Sequence, residues 1–390
     1  MRTTYLPYYR PQLDDREIEA AVECLRNGWL TSGSKAGEFE EAFASACGVE
    51  HAVAMNSCTA ALHVALCAMD VGAGDEVVMP SLTFVAGAQC TLELGATPVF
   101  ADVDPGTLSV TVESIDAVVT PRTKVIIAMP YAGRPLDICA IVEYAHSRGI
   151  RVLEDAAHAA GMLHRGEWSG ARSDAAAYSF YATKNLTSAE GGMLVTRDAR
   201  IAERARILRL HGMSKDAWKR YTAGGSWRYD VVAPGFKYNL PDPLAAIGLA
   251  QLERLEALQQ RRTLLAQRYV QGLSDVEGLE LQRSPSFEGD RHSWCMFVIR
   301  VDAAIADMDR DGLIEGLKAA NIGTSVHYVP THLLSAYRTL ARRPLVHTEA
   351  VWQQLVSLPL FPAMSDEDVD DVVTAVRSIA RQSMFQEAAS

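Results

Sequence analysis

The stretch KVIIAMPYAGRPLDICAIVEYAHSRGIRVLEDA (residues 124–156) carries the pattern that decides the fold. Two short, continuous apolar runs, at 124–130 and 151–156, flank a segment at 137–149 whose apolar residues recur at helical spacing. A strand that is apolar on both faces belongs to a sheet that is covered on both sides, and a helical crossover joins parallel strands. The stretch therefore predicts a strand, a helix and a second, parallel strand of an α/β sheet.

The same alternation extends in both directions along the chain. Further strand-like runs lie at 51–57, 75–81, 97–103, 174–180 and 191–196, and helical patterns lie at 59–69 and 84–94. Short apolar strands that alternate with helices are typical of a largely parallel sheet. We therefore predict a large α/β domain over residues 14–245.

The pattern from Pro243 to about Leu273 keeps helical spacing well beyond the length of an average helix, which suits a connector between domains. We place a smaller α+β domain at 246–390. Its expected elements are a strand within 293–302, a helix near 308–320, a strand at 323–330 and a final helix with a capping-box pair, Ser365 and Asp368.

Composition limits the possible partners. The chain has 390 residues, 48% of them hydrophobic, and a formal net charge of −11, so it has a sizeable core and no broad basic surface for nucleic acid or anionic membrane. No apolar run approaches the ~18 residues that span a bilayer. Seven cysteines occur without metal-ligand spacing. We expect a cytoplasmic protein with reduced cysteines and no metal.

Polar residues follow three of the predicted strands, at the sheet edge where open α/β sheets bind ligands. They are Asp155, the turn residues Ser57, Cys58 and Thr59, and the pair Ser179 and Lys184. Taken singly, such residues are more often helix caps or solvated groups. Together, an amine, a carboxylate and a phosphate-binding helix start are the parts needed to hold pyridoxal phosphate.

Several stretches, in order along the chain, carry a resemblance to one family. They are GWLTSG (28–33), SCTAALHVAL (57–66), PSLTFVAGA (80–88), GATPVFADVD (95–104), VLEDAAHAAG (152–161), SFYATKNLTSAEGG (179–192), GFKYNLPDPLAAIGLAQLERLE (235–256), VHYVPTHL (326–333) and SLPLFP (357–362). The chain resembles the DegT/DnrJ/EryC1/StrS sugar aminotransferases, which are fold type I enzymes dependent on pyridoxal phosphate. The resemblance implies a mainly parallel seven-stranded sheet, a smaller C-terminal domain, and an N-terminal segment (1–13) that packs on that domain or on a partner subunit.

The resemblance also implies roles for individual residues. Lys184 matches the Schiff-base lysine, and Asp155 matches the carboxylate that keeps the cofactor's ring nitrogen protonated. Phe84 matches the aromatic residue that stacks on the cofactor ring, and His158 matches a residue beside the ring hydroxyl. These four residues form the predicted ring-binding set.

A second group matches the phosphate cradle: Ser179, Cys58 and Thr59, with Asn239 contributed by the neighbouring subunit of a homodimer with shared active sites. The family often has glycine where this chain has Cys58, but a backbone N–H serves equally there. Thr31, His327, Tyr328 and His332 are the predicted substrate-side residues.

The expected reaction moves an amino group from glutamate or glutamine to a nucleotide-linked ketosugar. The sequence FKYN (236–239), where many members read GYNYR, resembles members that aminate carbon 4 of a UDP- or dTDP-4-keto sugar. Amination of a C3-ketosugar or a cyclitol ketone remains open. A regulatory homologue that binds the cofactor without turnover is disfavoured by Lys184, Asp155 and Ser179, and a deoxygenating branch that has His in place of the lysine is disfavoured by Lys184.

Overall fold

The computed structural model of the chain describes residues 2–214, 229–306 and 308–387, with side chains to residue 380. Its central element is a seven-stranded sheet in the spatial order β1-β7-β6-β5-β4-β2-β3. The strands are β1 (His51–Met55), β2 (Glu76–Pro80), β3 (Thr97–Ala101), β4 (Thr123–Ala128), β5 (Arg151–Asp155), β6 (Ala175–Ser179) and β7 (Gly192–Thr196). Only β7 runs antiparallel to its neighbours β1 and β6. The predicted mainly parallel, seven-stranded sheet is confirmed.

Helices cover both faces of this sheet. They are α1 (Asp15–Asn27), α2 (Ser34–Cys47), α3 (Cys58–Ala68), α4 (Ala86–Glu93), α5 (Val112–Asp116), α6 (Ile138–His146), α7 (Ala199–Leu208) and α8 (Asp242–Leu273). In β2, Val77 belongs to the core under α3 and α4, whereas Val78 belongs to the core under α5 and α6. Burial on alternate faces explains why the strands read as continuous apolar runs.

The C-terminal part of the chain forms a small three-stranded antiparallel sheet in the order β10-β9-β8. Its elements are β8 (Leu279–Leu281), β9 (Phe297–Val301), α9 (Ala303–Ala306), α10 (Arg310–Ala319), α11 (Val346–Trp352), β10 (Leu355–Leu358) and α12 (Asp366–Glu387). The backbone N–H groups of Ser365 and Asp368 donate to each other's side chains, so α12 begins with the predicted capping box.

The strand predicted at 323–330 is wrong. Within that segment only Ser325 makes a β-bridge, an isolated one with Ser357. His327 and Tyr328 instead direct their side chains to Ser357 and to His158, respectively. These tertiary contacts replace the regular ladder that the apolar pattern predicted.

The N-terminal segment packs on the C-terminal part of the chain. Leu6 is buried in the core of the small domain and forms a parallel bridge with Ile322. Arg2 makes ion pairs with Asp368 and Asp371. Helix α8 runs without a break across the predicted limit at 245/246, so that limit stays a prediction. Among the described residues, no helix is long and apolar enough to cross a membrane.

A buried histidine, His292, contacts the middle of α8, where the Gln259 side-chain amide donates to its carbonyl at 3.0 Å. His292 is 4% exposed, and its Nδ1 accepts the Trp294 backbone N–H at 2.8 Å. Its ring stacks on the Trp294 ring with 3.9 Å between centroids. Burial, aided by the charge of Arg134, lowers its pKa to about 3, so the folded protein holds this imidazole neutral.

This histidine predicts a loss of stability in acid. The unfolded chain binds a proton on His292 below its ordinary pKa of 6.5, whereas the folded chain does not until about 3. Stability is therefore lost as the pH falls through this window, by about 2 kcal/mol between pH 6.5 and 5. In His292→Asn, whose amide oxygen keeps the hydrogen bond, the apparent thermal midpoint is lower than that of the parent at pH 7.5, and the difference narrows at pH 5. His146→Asn, at an exposed site, is the control, and an unchanged difference for His292→Asn contradicts the interpretation.

Candidate active site

Three strands bring the predicted site residues to one edge of the large sheet. β5 and β6 are parallel and end at Asp155 and Ser179. Because β7 is antiparallel to both β1 and β6, β1 runs in the same direction as β6 and leads into Ser57 at the same edge. The carboxyl ends of these strands therefore form the rim of one site.

Asp155 is a buried carboxylate, 6% exposed. Its Oδ1 accepts the Ala157 N–H at 3.2 Å and lies 3.9 Å from the Cys58 Sγ. Burial raises its pKa, while the Ala157 N–H and the positive charge of Lys184 oppose that rise. Among the described residues, no basic group lies within the 4.0 Å limit of an ion pair with it. The positive charge of Lys184 therefore acts on the Asp155 carboxylate through space, without a direct ion pair.

Lys184 lies in the loop after β6 and is partly exposed. Its backbone is held at both ends, because its N–H donates to the Tyr181 carbonyl at 2.9 Å and its carbonyl accepts the Tyr9 hydroxyl at 3.1 Å. Burial and the Lys184 charge together lower the pKa of His158 well below its ordinary value and that of His327 to about 4. Both imidazoles are therefore neutral around pH 7.

His158 has a polar atom without a hydrogen-bond partner among the described residues. The residue is 1% exposed, and its Nε2 lies 2.9 Å from the Tyr328 hydroxyl. Its Nδ1 is buried and has no hydrogen-bond partner among the described residues. A buried ring nitrogen without a partner marks a place for a polar atom of a ligand. Phe84, 58% exposed, stands 6.1 Å from the Tyr328 ring and offers a free aromatic face.

The turn from β1 into α3 has the geometry of an anion site. The Ser57 hydroxyl accepts the Ala60 N–H at 3.0 Å and so caps α3. The N–H groups of Cys58 and Thr59 in the first helical turn have no protein acceptor in the described part of the chain. Such N–H groups, with the helix dipole, bind phosphate. The Cys58 thiol points away, toward the Ala177 carbonyl at 3.4 Å, so its backbone serves this role.

A glycine permits the close approach of β7 to this turn. A Cβ at Gly192 would lie 2.4 Å from the backbone carbonyl of Ser57 and 2.6 Å from the backbone nitrogen of Cys58. No side chain fits there without moving the turn. The predicted Ser179 stands beside Gly192 in the sheet, 7% exposed, and its hydroxyl accepts the Tyr181 N–H at 3.4 Å.

Asn239 lies near the same turn of its own chain. It forms an isolated bridge with Met55, and its Nδ2 donates to the Ser32 hydroxyl at 2.8 Å. The Lys237 ammonium donates to its side-chain carbonyl. Thr31, directly before Ser32 in the chain, is exposed, and its carbonyl accepts the Asp242 N–H at 3.2 Å. The predicted contact of Asn239 with a partner's phosphate stays a prediction.

The predicted substrate-side residues separate into two groups. His327 and Tyr328 lie beside Lys184 and His158, and the His327 Nδ1 is 2.8 Å from the Ser357 hydroxyl. His332 is instead 4% exposed and bonded at both nitrogens, with Nδ1 2.6 Å from the Ser81 hydroxyl and Nε2 3.3 Å from a Glu349 oxygen. Its position is that of a packing residue, and the structure does not bring it together with the other two.

Sequence reasoning missed the N-terminal tyrosines. The Tyr9 hydroxyl bonds to the Lys184 carbonyl, and the Tyr8 ring packs on His327 with 5.3 Å between centroids. Residues 6–9 read LPYY, and two adjacent aromatic residues in a short polar segment were the available signal. The N-terminal segment thus forms a wall of the site.

A family model for the DegT/DnrJ/EryC1/StrS aminotransferase family matches residues 11–377. The chain belongs to this family. It is 45% identical over 385 residues to the spore coat polysaccharide biosynthesis protein SpsC of Bacillus subtilis (strain 168), with 97% of this chain and 98% of SpsC covered. The predicted family and enzyme class, a transaminase dependent on pyridoxal phosphate, are confirmed.

Solved structures of similar proteins superpose on nearly the whole chain. The PMP-form of Spr1654 from Streptococcus pneumoniae is 31% identical, with a TM-score of 0.89 and coverage of 97% of this chain and all of that one. DesI, solved in the presence of its TDP-sugar product, is 32% identical, with a TM-score of 0.88 and coverage of 100% and 96%. Spr1654 has also been solved in a PLP-form.

These comparisons indicate pyridoxal phosphate as the cofactor and a sugar as the substrate. The site fits that cofactor on its own geometry. The α3 N–H groups suit its phosphate, the unpartnered Nδ1 of His158 suits a polar ring substituent, and the buried Asp155 suits a cationic ring nitrogen.

The Gly192 contact predicts a specific loss of cofactor binding. Gly192→Ala displaces the Ser57–Cys58 turn, because its Cβ overlaps backbone atoms. We expect at least about tenfold weaker retention of pyridoxal phosphate, since the phosphate depends on this turn. Retention is measured by absorbance after dialysis, with circular dichroism as the check on folding. Gly37→Ala, whose Cβ meets nothing within 4 Å, is the matched control. Equal retention in both variants contradicts the assigned phosphate site.

Proposed function

We propose that the protein transfers an amino group from glutamate or glutamine to carbon 4 of a UDP- or dTDP-linked 4-keto sugar. The observation that carries the proposal is the pairing of a buried acid, Asp155, with the Lys184 ammonium across a gap at one sheet edge. The family membership supports the sugar, and the TDP-sugar product of DesI supports the nucleotide.

Lys184 is the residue that moves the proton in both halves of the reaction. When bound, pyridoxal phosphate supplies an electron sink that stabilises negative charge on the amino-bearing carbon. The Lys184 amine takes a proton from one carbon and returns it to another within a single tethered side chain. Hydrogen bonds to the Tyr9 hydroxyl and the Tyr181 carbonyl hold its backbone in place.

The neutral histidines add no charge beside Lys184. His158 and His327 are buried and uncharged, so neither repels the Lys184 ammonium. Asp155, anionic when a cation lies near it, favours the protonated form of a ring nitrogen placed in the gap. The positive charge near the carboxylate is thereby confined to the lysine and the bound ligand.

The assignment to carbon 4 rests on the segment FKYN at 236–239. In the structure, Phe236 and Tyr238 stack at 4.9 Å, and the Tyr238 hydroxyl lies 3.2 Å from the Nδ1 of His63 on α3. The Tyr238 carbonyl accepts the Asn56 N–H at 2.7 Å, immediately before the phosphate turn. The segment is therefore held next to the Ser57–Thr59 turn of its own chain.

A shared site in a homodimer is part of the proposal. Large apolar side chains around the site are exposed in the single chain: Phe84 (58%), Tyr181 (47%), Val329 (42%) and Leu333 (37%). Apolar surface of this kind around a cleft is typical of an interface. A second subunit that covers it would bring its own Asn239 segment to the site by two-fold symmetry.

The substrate assignment predicts a strict preference in a single-turnover assay. The pyridoxamine form of the enzyme is mixed with UDP- or dTDP-linked 4-keto sugars, the matching 3-keto sugars or a cyclitol ketone. We expect the 4-keto sugar to consume the pyridoxamine form at least about a hundredfold faster than the other ketones do. A carbonyl at another position is not aligned with the reacting amine. Absorbance follows the reaction, and NMR locates the new amine. A faster 3-keto sugar or cyclitol supports the alternative transaminase, and no reaction with any ketone supports the regulatory homologue.

The shared site predicts complementation between two inactive variants. When Lys184→Ala and Asn239→Ala chains are refolded together, half of the dimers are mixed. With trans contacts, one site of each mixed dimer carries both lesions and the other carries none, so about a quarter of the parent activity returns. Mixing Lys184→Ala with Asp155→Ala is the control, because those residues share one chain's site and no activity returns. If the Asn239 mixture also stays inactive, Asn239 serves its own chain.

A further inference from the structure

A cluster of three possible metal ligands lies outside the catalytic machinery. Asp137 caps the start of α6, Cys139 lies in its first turn, and His164 lies in the turn after β5. One carboxylate oxygen, the Sγ and one ring nitrogen of these residues all lie within 4.8 Å of one another. None of the three contributes to the active site.

His164 is the residue that makes this cluster a candidate metal site. It is 4% exposed, and neither of its ring nitrogens has a hydrogen-bond partner among the described residues. Its Nε2 lies 3.8 Å from the Asp137 Oδ1. A buried imidazole without partners costs free energy unless another group satisfies it. The nitrogen that faces Asp137 and Cys139 is therefore a place for a ligand.

A second carboxylate stands behind the imidazole. The Asp290 Oδ1 is 3.0 Å from the His164 Nδ1, at ion-pair distance but without hydrogen-bond alignment. Asp290 is itself buried and fixed by the backbone N–H groups of Arg165, at 2.9 Å, and Phe287, at 3.0 Å. Carboxylates in this position orient metal-binding histidines and fix their tautomer.

We propose that Asp137, Cys139 and His164 bind a divalent transition metal, for which Zn²⁺ is the best match. A set of one nitrogen, one sulfur and one oxygen suits zinc, whereas calcium and magnesium take oxygen ligands. Tetrahedral zinc needs ligand atoms about 3.3–3.7 Å apart, and the 3.8 Å between the His164 Nε2 and the Asp137 Oδ1 is close to that range. Asp137 and Cys139 are partly exposed, and water fills the fourth position.

The metal site has a structural role. It joins the start of α6 to the turn that holds His164 and, through Asp290, to the segment that leads into the small sheet. In that segment, the Ser293 hydroxyl donates to the His158 carbonyl at 2.6 Å. A metal that binds the folded chain stabilises it by mass action.

The test uses tag-free holoenzyme titrated with Co²⁺, whose visible bands report tetrahedral geometry at longer wavelengths than the cofactor absorbs. We expect one Co²⁺ per protomer, displaced by Zn²⁺, and a rise in the thermal midpoint with Zn²⁺. Asp290→Asn should weaken affinity about 10–100-fold. Cys139→Ser and His164→Gln should each abolish the tetrahedral spectrum and the thermal shift.

Cys67→Ser and His146→Gln are the matched controls, because both residues lie outside the cluster, and each should behave as the parent. Circular dichroism and cofactor content show that each variant is folded, and Cys139→Ser tests the site even if His164→Gln does not fold. The proposal is overturned if the parent binds no stoichiometric Co²⁺, or if a tetrahedral spectrum persists in Cys139→Ser. A buried water then satisfies His164 instead.

Discussion

The active site depends on a charge that the fold places out of water. Asp155 ends a central strand of the sheet and receives one backbone N–H and a weak thiol contact, too little to replace its hydration. Its pKa is raised by that burial and held down in part by Lys184. The carboxylate therefore needs a second cation in the gap before it. A cationic ring bound beside Asp155 would offset part of the cost of burying this carboxylate.

The same constraint explains which neighbours are charged. His158 and His327 both lie where a proton would repel Lys184, and burial keeps them neutral. The predicted phosphate site, in contrast, offers backbone N–H groups, because the Ser57 hydroxyl is occupied as the cap of α3 and the Cys58 thiol faces the Ala177 carbonyl. An anion site made of backbone is insensitive to the side chain at position 58.

The sequence predicted the parts of this site that local pattern determines. Apolar runs indicated buried strands because both of their faces are covered, as Val77 and Val78 show, and residues after such strands meet at one edge. The contact of Tyr9 with Lys184 joins residues 175 positions apart and leaves no periodic signal. The failed strand at 323–330 has the same origin, since its polar aromatic residues are held by tertiary contacts. The cysteine spacing likewise gave no hint that Cys139 lies near His164.

In the single chain, one half of the site is enclosed by protein and the other half is open to solvent. Asp155 and His158 are buried on one side of the site and have polar groups that the chain leaves incompletely hydrogen-bonded, whereas Phe84 and Tyr181 leave large apolar surfaces in water. A polar sugar does not require exposed aromatic rings for its binding. Apolar surface exposed to water is unfavourable in free energy. Covering by a second copy removes this cost and adds polar groups at the open half. The charge buried in one subunit and the apolar rim around it therefore favour the same proposal, in which the cofactor binds between two chains.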